Sequence, residues 1–141
     1  MKEERVKRYW DKINLISKRT DEINEWANTE PEEFIANEKT KLATYKAFQE
    51  LAEASMDIVA MICKDTKILP KDDYTNIELL KKEISFNEKV LIEANGLRNR
   101  VVHRYNKTDD LLAFESIKEL LPGIVDFVGE VKAWMRKRLK K

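Results

Sequence analysis

Only three glycines and three prolines are spread through 141 residues, so the chain carries little of the punctuation that ends helices and turns strands. Long helices should dominate, with strand content close to nil. A first helix from about Glu3 to Trp26 carries Val6, Trp10, Ile13, Ile16, Ile23 and Trp26 at spacings of threes, fours and sevens, the pattern of a buried stripe. Pro31 and the residues to Ala36 read as a turn. Asn37 then caps a second long helix that carries Leu42, Tyr45, Phe48, Ala52, Met56, Val59 and Ile62 and ends near Lys64.

Asp65 to Tyr74, with Pro70 inside it, reads as a loop leading to a short helix capped by Thr75. Asn87 opens a further helix through Val90, Leu91, Ala94 and Leu97. Thr108-Asp109-Asp110 supplies a cap and favourable negative charge for the last helix, marked by Leu112, Leu120, Ile124, Phe127, Val131 and Trp134. Pro122-Gly123 should kink that helix or split it in two. The closing run Arg136-Lys137-Arg138-Leu139-Lys140-Lys141 puts cations where a helix C-terminus favours them. No linker rich in proline, glycine or serine divides the chain, so residues 1–141 are expected to form a single all-α domain.

With 27 basic and 26 acidic residues and a net charge of +1, the whole-molecule field exerts no strong pull toward nucleic acid or an anionic membrane. Any nucleic-acid site has to be a local patch. Cys63, the single cysteine, sits in the apolar run Ile58-Val59-Ala60-Met61-Ile62-Cys63 and reads as a buried structural thiol. No apolar stretch follows the basic N-terminus, and none approaches the ~20 residues of a membrane span. A cytoplasmic location without membrane contact is the default expectation.

The chemically competent cluster is Arg98-Asn99-Arg100-Val101-Val102-His103-Arg104-Tyr105, which holds the one histidine of the chain. On an ideal helix, Val90, Leu91, Ala94, Leu97, Val101 and Val102 define the apolar sector, and Arg98 and Tyr105 fall inside it. A guanidinium there needs a partner or a cleft, because an unpaired buried charge is very costly. Glu50, Glu53 and Asp57 on the second helix are candidates by position. Asn99 and His103, four apart, share an adjacent polar face. Arg98 and His103 are roughly 140° apart on the wheel, so they converge only if Arg98 reaches, the helix breaks or a second copy contributes. On spacing alone, His103 is more often a surface or interface group and Tyr105 half-buried core.

The string Arg98-Asn99, three residues, His103-Arg104-Tyr105 resembles the R-x4-H-x-Y motif of the HEPN superfamily, and specifically its HepT-like toxin family. Tyr45 to Ala54 followed by Asp57-Ile58-Val59-Ala60 is similar to that family's second helix, and the acidic turn Asp109-Asp110 before the last helix follows its order. The similarity runs over about residues 9 to 132.

The resemblance implies an all-α, up-and-down helical bundle of four to five main helices that homodimerises, with RNA cut in a composite cleft without metal or other cofactor. Arg98 and His103 would be the catalytic pair. His103, with an ordinary pKa of about 6.5, suits acid or base work near neutrality, and Arg98 offers planar donors for phosphate oxygens. Asn99 would support them, and Arg100 and Arg104 would contact the RNA backbone. Tyr105 would be the residue to which a nucleotidyltransferase-type antitoxin attaches AMP, blocking the site. The alternative from the same resemblance is a non-catalytic HEPN binding subunit that partners a nucleotidyltransferase. No base-reading aromatic platform stands out: Tyr74 and Phe86 lie near helix ends, where core or loop packing is the commoner fate.

Overall fold

The computed structural model describes residues 1–102 and 109–139. All regular structure among them is helical: α1 (Glu3–Trp26), α2 (Pro31–Ala36), α3 (Glu38–Asp65), α4 (Asp73–Leu80), α5 (Glu88–Val102) and α6 (Asp110–Leu139). The four long helices close a ring. α1 packs on α3, α3 on α5, α5 on α6, and α6 returns to α1, while α2 bridges α3 and α6 and α4 bridges α3 and α5. This is the expected up-and-down bundle. One apolar cluster joins all six helices, with Ile16, Phe34, Leu51, Ile77, Leu91 and Ile124 each at most 1% exposed.

Local chemistry explains most boundaries. Asn37 accepts a 3.0 Å hydrogen bond from the Thr40 amide and starts α3, and Asn87 accepts at 3.2 Å from the Lys89 amide at the start of α5. Asp109 accepts at 3.1 Å from the Leu112 amide; Thr108, expected to share that role, lies outside the described residues. The short helix α4 is capped by Asp72, not Thr75: the Asp72 carboxylate accepts from both the amide and the hydroxyl of Thr75, each at 2.9 Å.

The segment expected as a turn after Pro31 is the helix α2. Proline suits its first position, Glu32 and Glu33 favour its first turn, and Phe34 anchors it against Phe114 with ring centroids 4.6 Å apart. Pro122 does not split α6, which runs through it as one element; the proline is exposed, while Leu121 and Ile124 on either side of it are buried. Three apolar assignments also shift. Tyr9 takes the core position of α1 and Trp10, 39% exposed, lies outside it; Leu42 and Leu112 are exposed as well. Tyr9 can be buried because its hydroxyl donates a 2.7 Å hydrogen bond to Asp65, and Lys41 beside Leu42 turns inward to an ion pair at 3.0 Å with Asp110. Cys63 is fully buried as expected, and burial pushes its thiol pKa up.

Candidate ribonuclease site

Leu91, Ala94, Asn95, Leu97 and Val101 bury one side of α5, which fixes how the motif residues are displayed. Arg98 reaches across toward α3 and α4. Its Nη1 donates to Oε1 of Glu53 at 3.4 Å, and its Nη2 to Oδ2 of Asp73 at 3.4 Å and to Oδ1 of Asn95 at 2.7 Å. The Arg98 side chain keeps 20% of its surface exposed. Its Nε is buried and without a hydrogen-bond partner among the described residues. The need for a partner, read from the apolar sector, is met.

Glu53 was among the carboxylates expected for that role. Glu50 pairs instead with Arg19 at 3.1 Å, and Asp57 with Lys12 at 2.7 Å. Asp73 escaped the sequence reading because the start of α4 read as loop. The signal for it was the adjacent Asp72-Asp73 pair, three and two residues before Thr75, where an N-cap belongs. Glu53 and Asp73 retain 42% and 40% of their side-chain exposure. They remain hydrated, so their hold on Arg98 is exchangeable in a way that the Asn95 bond is not.

Asn99 and Arg100 are exposed on α5. His103, Arg104 and Tyr105 lie outside the described residues, so their expected roles are neither placed nor brought together with Arg98 here. Arg100 projects to the other side of α5, onto a groove of about 570 Å3 shared with α6 and the start of α4. Leu97 and Leu120 form its apolar wall, and Tyr74, Gly96 and Ser116 also line it. Tyr74 is 47% exposed rather than packed in the core. Phe86 does pack as expected, 5.7 Å from the Phe127 ring. Among the described residues no group of three or more His, Cys, Asp or Glu is placed to hold a metal, and no helix is long and apolar enough to cross a membrane.

The closed ring of four long helices is a fold shared with solved HEPN toxins. The tri-AMPylated Shewanella oneidensis HEPN toxin in complex with MNT antitoxin shares this fold, with a TM-score of 0.81 at 20% identity over 94% of this chain and 99% of that one. So does a toxin–antitoxin crystallised with AMP-PNP, with a TM-score of 0.80 at 18% identity over 93% of this chain and 99% of that one. Within that class, residues 16–131 match the Ribonuclease HepT-like family, and the chain belongs to it. A protein of Archaeoglobus fulgidus named as a candidate RNase is 34% identical over 94% of this chain and 97% of its own length. The tRNA nuclease HepT of Aphanizomenon flos-aquae is 27% identical over 88% of this chain and 87% of its own.

Proposed function

We propose that the protein is a metal-independent ribonuclease toxin of a HEPN and nucleotidyltransferase toxin–antitoxin module, acting as a single-domain homodimer. The observation that carries this reading is the placement of Arg98: a permanent cation, oriented by a buried amide and flanked by two exchangeable carboxylates, inside the segment that matches a ribonuclease family. The Aphanizomenon relative named as a tRNA nuclease supports RNA as the substrate. The Shewanella toxin held by an MNT antitoxin supports a partner of that type.

In the proposed reaction a ribose 2′-hydroxyl attacks the adjacent phosphorus. His103 of one subunit takes the hydroxyl proton, and a second acid, His103 of the other subunit, gives a proton to the departing 5′-oxygen. A 2′,3′-cyclic phosphate and a 5′-hydroxyl result. Arg98 binds the non-bridging oxygens as charge builds on them. Asn99 supports His103 or phosphate, and Arg100 and Arg104 hold the RNA backbone. AMP attached to Tyr105 by the antitoxin adds a phosphate that competes for Arg98 and a base that occupies the cleft.

The test is cleavage of tRNA in EDTA by the wild type, His103→Ala and Arg98→Ala, each checked for fold and dimer. Cyclic-phosphate product from the wild type, lost in both variants, establishes the nuclease. An inactive wild type free of AMP on Tyr105 by mass spectrometry overturns it in favour of a non-catalytic subunit that binds a nucleotidyltransferase.

A further inference from the structure

Gly96 stands in the middle of α5, where glycine weakens a helix relative to alanine. Packing does not require it. A Cβ there would lie 3.6 Å from Nη1 of Arg100 and 4.0 Å from the Tyr74 hydroxyl, both ordinary contact distances, and no glycine has a positive φ. Gly123 on α6 is a contrast, since a Cβ there would come within 2.7 Å of a Val90 methyl. The bare backbone at Gly96 lets the Arg100 guanidinium and the Tyr74 hydroxyl converge above it on the floor of the groove, with the half-exposed Tyr74 ring facing the rest of the groove.

We propose that this groove is a nucleobase subsite in which one unpaired base of the RNA substrate lies beside Gly96 with its face on Tyr74 and its phosphate on Arg100. The inference rests on the ribonuclease reading and adds to it. The groove's volume of about 570 Å3 suits a single nucleotide, and an exposed ring beside a cation is the usual platform for a base in single-stranded RNA. Glu93, Glu119 and Lys89 also line it, with Lys89 3.9 Å from Glu93. Glu119 repels a phosphate placed beside it and accepts hydrogen bonds from an exocyclic base amine, so the phosphate lies toward Arg100 and a base bearing an amine is preferred over uracil. The subsite lies on the other side of α5 from Arg98, and the two are joined through the start of α4, where Asp73, the neighbour of Tyr74, contacts Arg98.

The experiment is fluorescence anisotropy of the full chain with short 2′-O-methyl RNA oligonucleotides, which lack the attacking hydroxyl and report binding apart from cleavage. Gly96→Leu fills the groove and should weaken binding about tenfold or more while leaving the melting temperature unchanged or higher. Tyr74→Ala should weaken it similarly, Tyr74→Phe should retain it, and oligocytidine should bind more tightly than oligouridine. Gly96→Ala serves in place of leucine if the larger side chain disturbs the fold. Folded Gly96 and Tyr74→Ala variants that bind as tightly as the wild type overturn the subsite, as does a wild type that binds no oligonucleotide. The two readings separate cleanly. Cleavage of tRNA with unchanged KM in these variants leaves the nuclease standing and removes the subsite, whereas groove-dependent binding without cleavage does the reverse.

Discussion

Oδ1 of Asn95 accepts a 2.7 Å hydrogen bond from Nη2 of Arg98, one turn further along the same helix. Asn95 is 2% exposed, whereas Glu53 and Asp73, the charged partners of Arg98, sit farther off at 3.4 Å and are open to water. A neutral buried acceptor thus fixes one edge of the guanidinium, and its charged contacts, which in the proposed reaction a phosphate replaces, are the looser ones. Asn95→Ala is expected to lower stability by about 1–3 kcal/mol, the usual cost of losing a hydrogen bond to a charged group. Cleavage should fall about tenfold or more through kcat, because a small misplacement of a positioned cation is costly in the transition state. Urea denaturation beside single-turnover kinetics checks both effects. A variant that loses stability but keeps kcat confines Asn95 to packing.

Arg98→Ala breaks the same bond from its other end. Glu53 and Asp73 are hydrated and lose little, but the buried Asn95 oxygen is left without its donor, so the fold should lose about 1–3 kcal/mol, while cleavage drops about 100- to 1,000-fold for want of the phosphate donor. Arg98→Lys should recover little, since an ammonium cannot present the planar fork. Thermal melts and product yield on tRNA measure the two, and full activity in the lysine variant would show that charge alone suffices.

Gly123 is required by packing. Its missing Cβ would meet the two Val90 methyls at 2.7 and 2.8 Å, and Val90 has a short branched side chain with little room to yield. Gly123→Ala should therefore destabilise by about 1–2 kcal/mol, an overpacking cost partly offset by alanine's better helix propensity. In a Val90→Ala background the same substitution should become neutral or stabilising by up to about 1 kcal/mol. A double-mutant cycle by denaturant titration reads the change of sign, and additive effects would mean that α5 and α6 separate freely here.

Acid should loosen α4 first. The Thr75 amide, followed by the Thr75 hydroxyl, holds the Asp72 carboxyl below its usual range. A depressed folded pKa contributes stability that is complete above the unfolded value, about 3.9, and is lost as pH falls through the folded value. Asp72→Asn keeps a competent cap without the titration, so its α4 protection should vary less with acid. Hydrogen exchange over residues 73–80 between pH 5 and 3 distinguishes the two, and parallel profiles would exclude Asp72 as the cause.

How much of this was legible in the sequence depends on whether the information was local. The bounds of α1 and α3 follow from apolar spacing and the Asn37 cap, both contained in the segments themselves. Six-residue α2 was missed because its stability comes from Phe34 packing against Phe114 on a distant helix. Trp10 and Tyr9 are one residue apart and equally apolar in pattern; Asp65, far along the chain, makes Tyr9 the buried one. At the site, the apolar sector around Arg98 announced a partner, and Glu53 was within reach of a positional argument. Asp73 was not, because α4's crossing of α5 is a tertiary fact. The roles given to His103 and Tyr105 come from family resemblance rather than from geometry.

Lys41 and Asp110 tie α3 to the start of α6. Lys41 is 6% exposed, and its ammonium meets Glu38 at 2.9 Å and Asp110 at 3.0 Å. These hydrogen bonds, that to Glu38 first, outweigh burial and push its pKa up. Asp110 also accepts from the Tyr45 hydroxyl. The first residue of α6 is thereby pinned to α3. Lys41→Met should remove the ammonium from Asp110 and destabilise the fold by about 1–3 kcal/mol. Lys41→Arg, which restores a cation, should recover most of that loss. Thermal melts of the two variants check this, and a methionine variant as stable as the wild type would show that the Tyr45 hydroxyl suffices to hold Asp110.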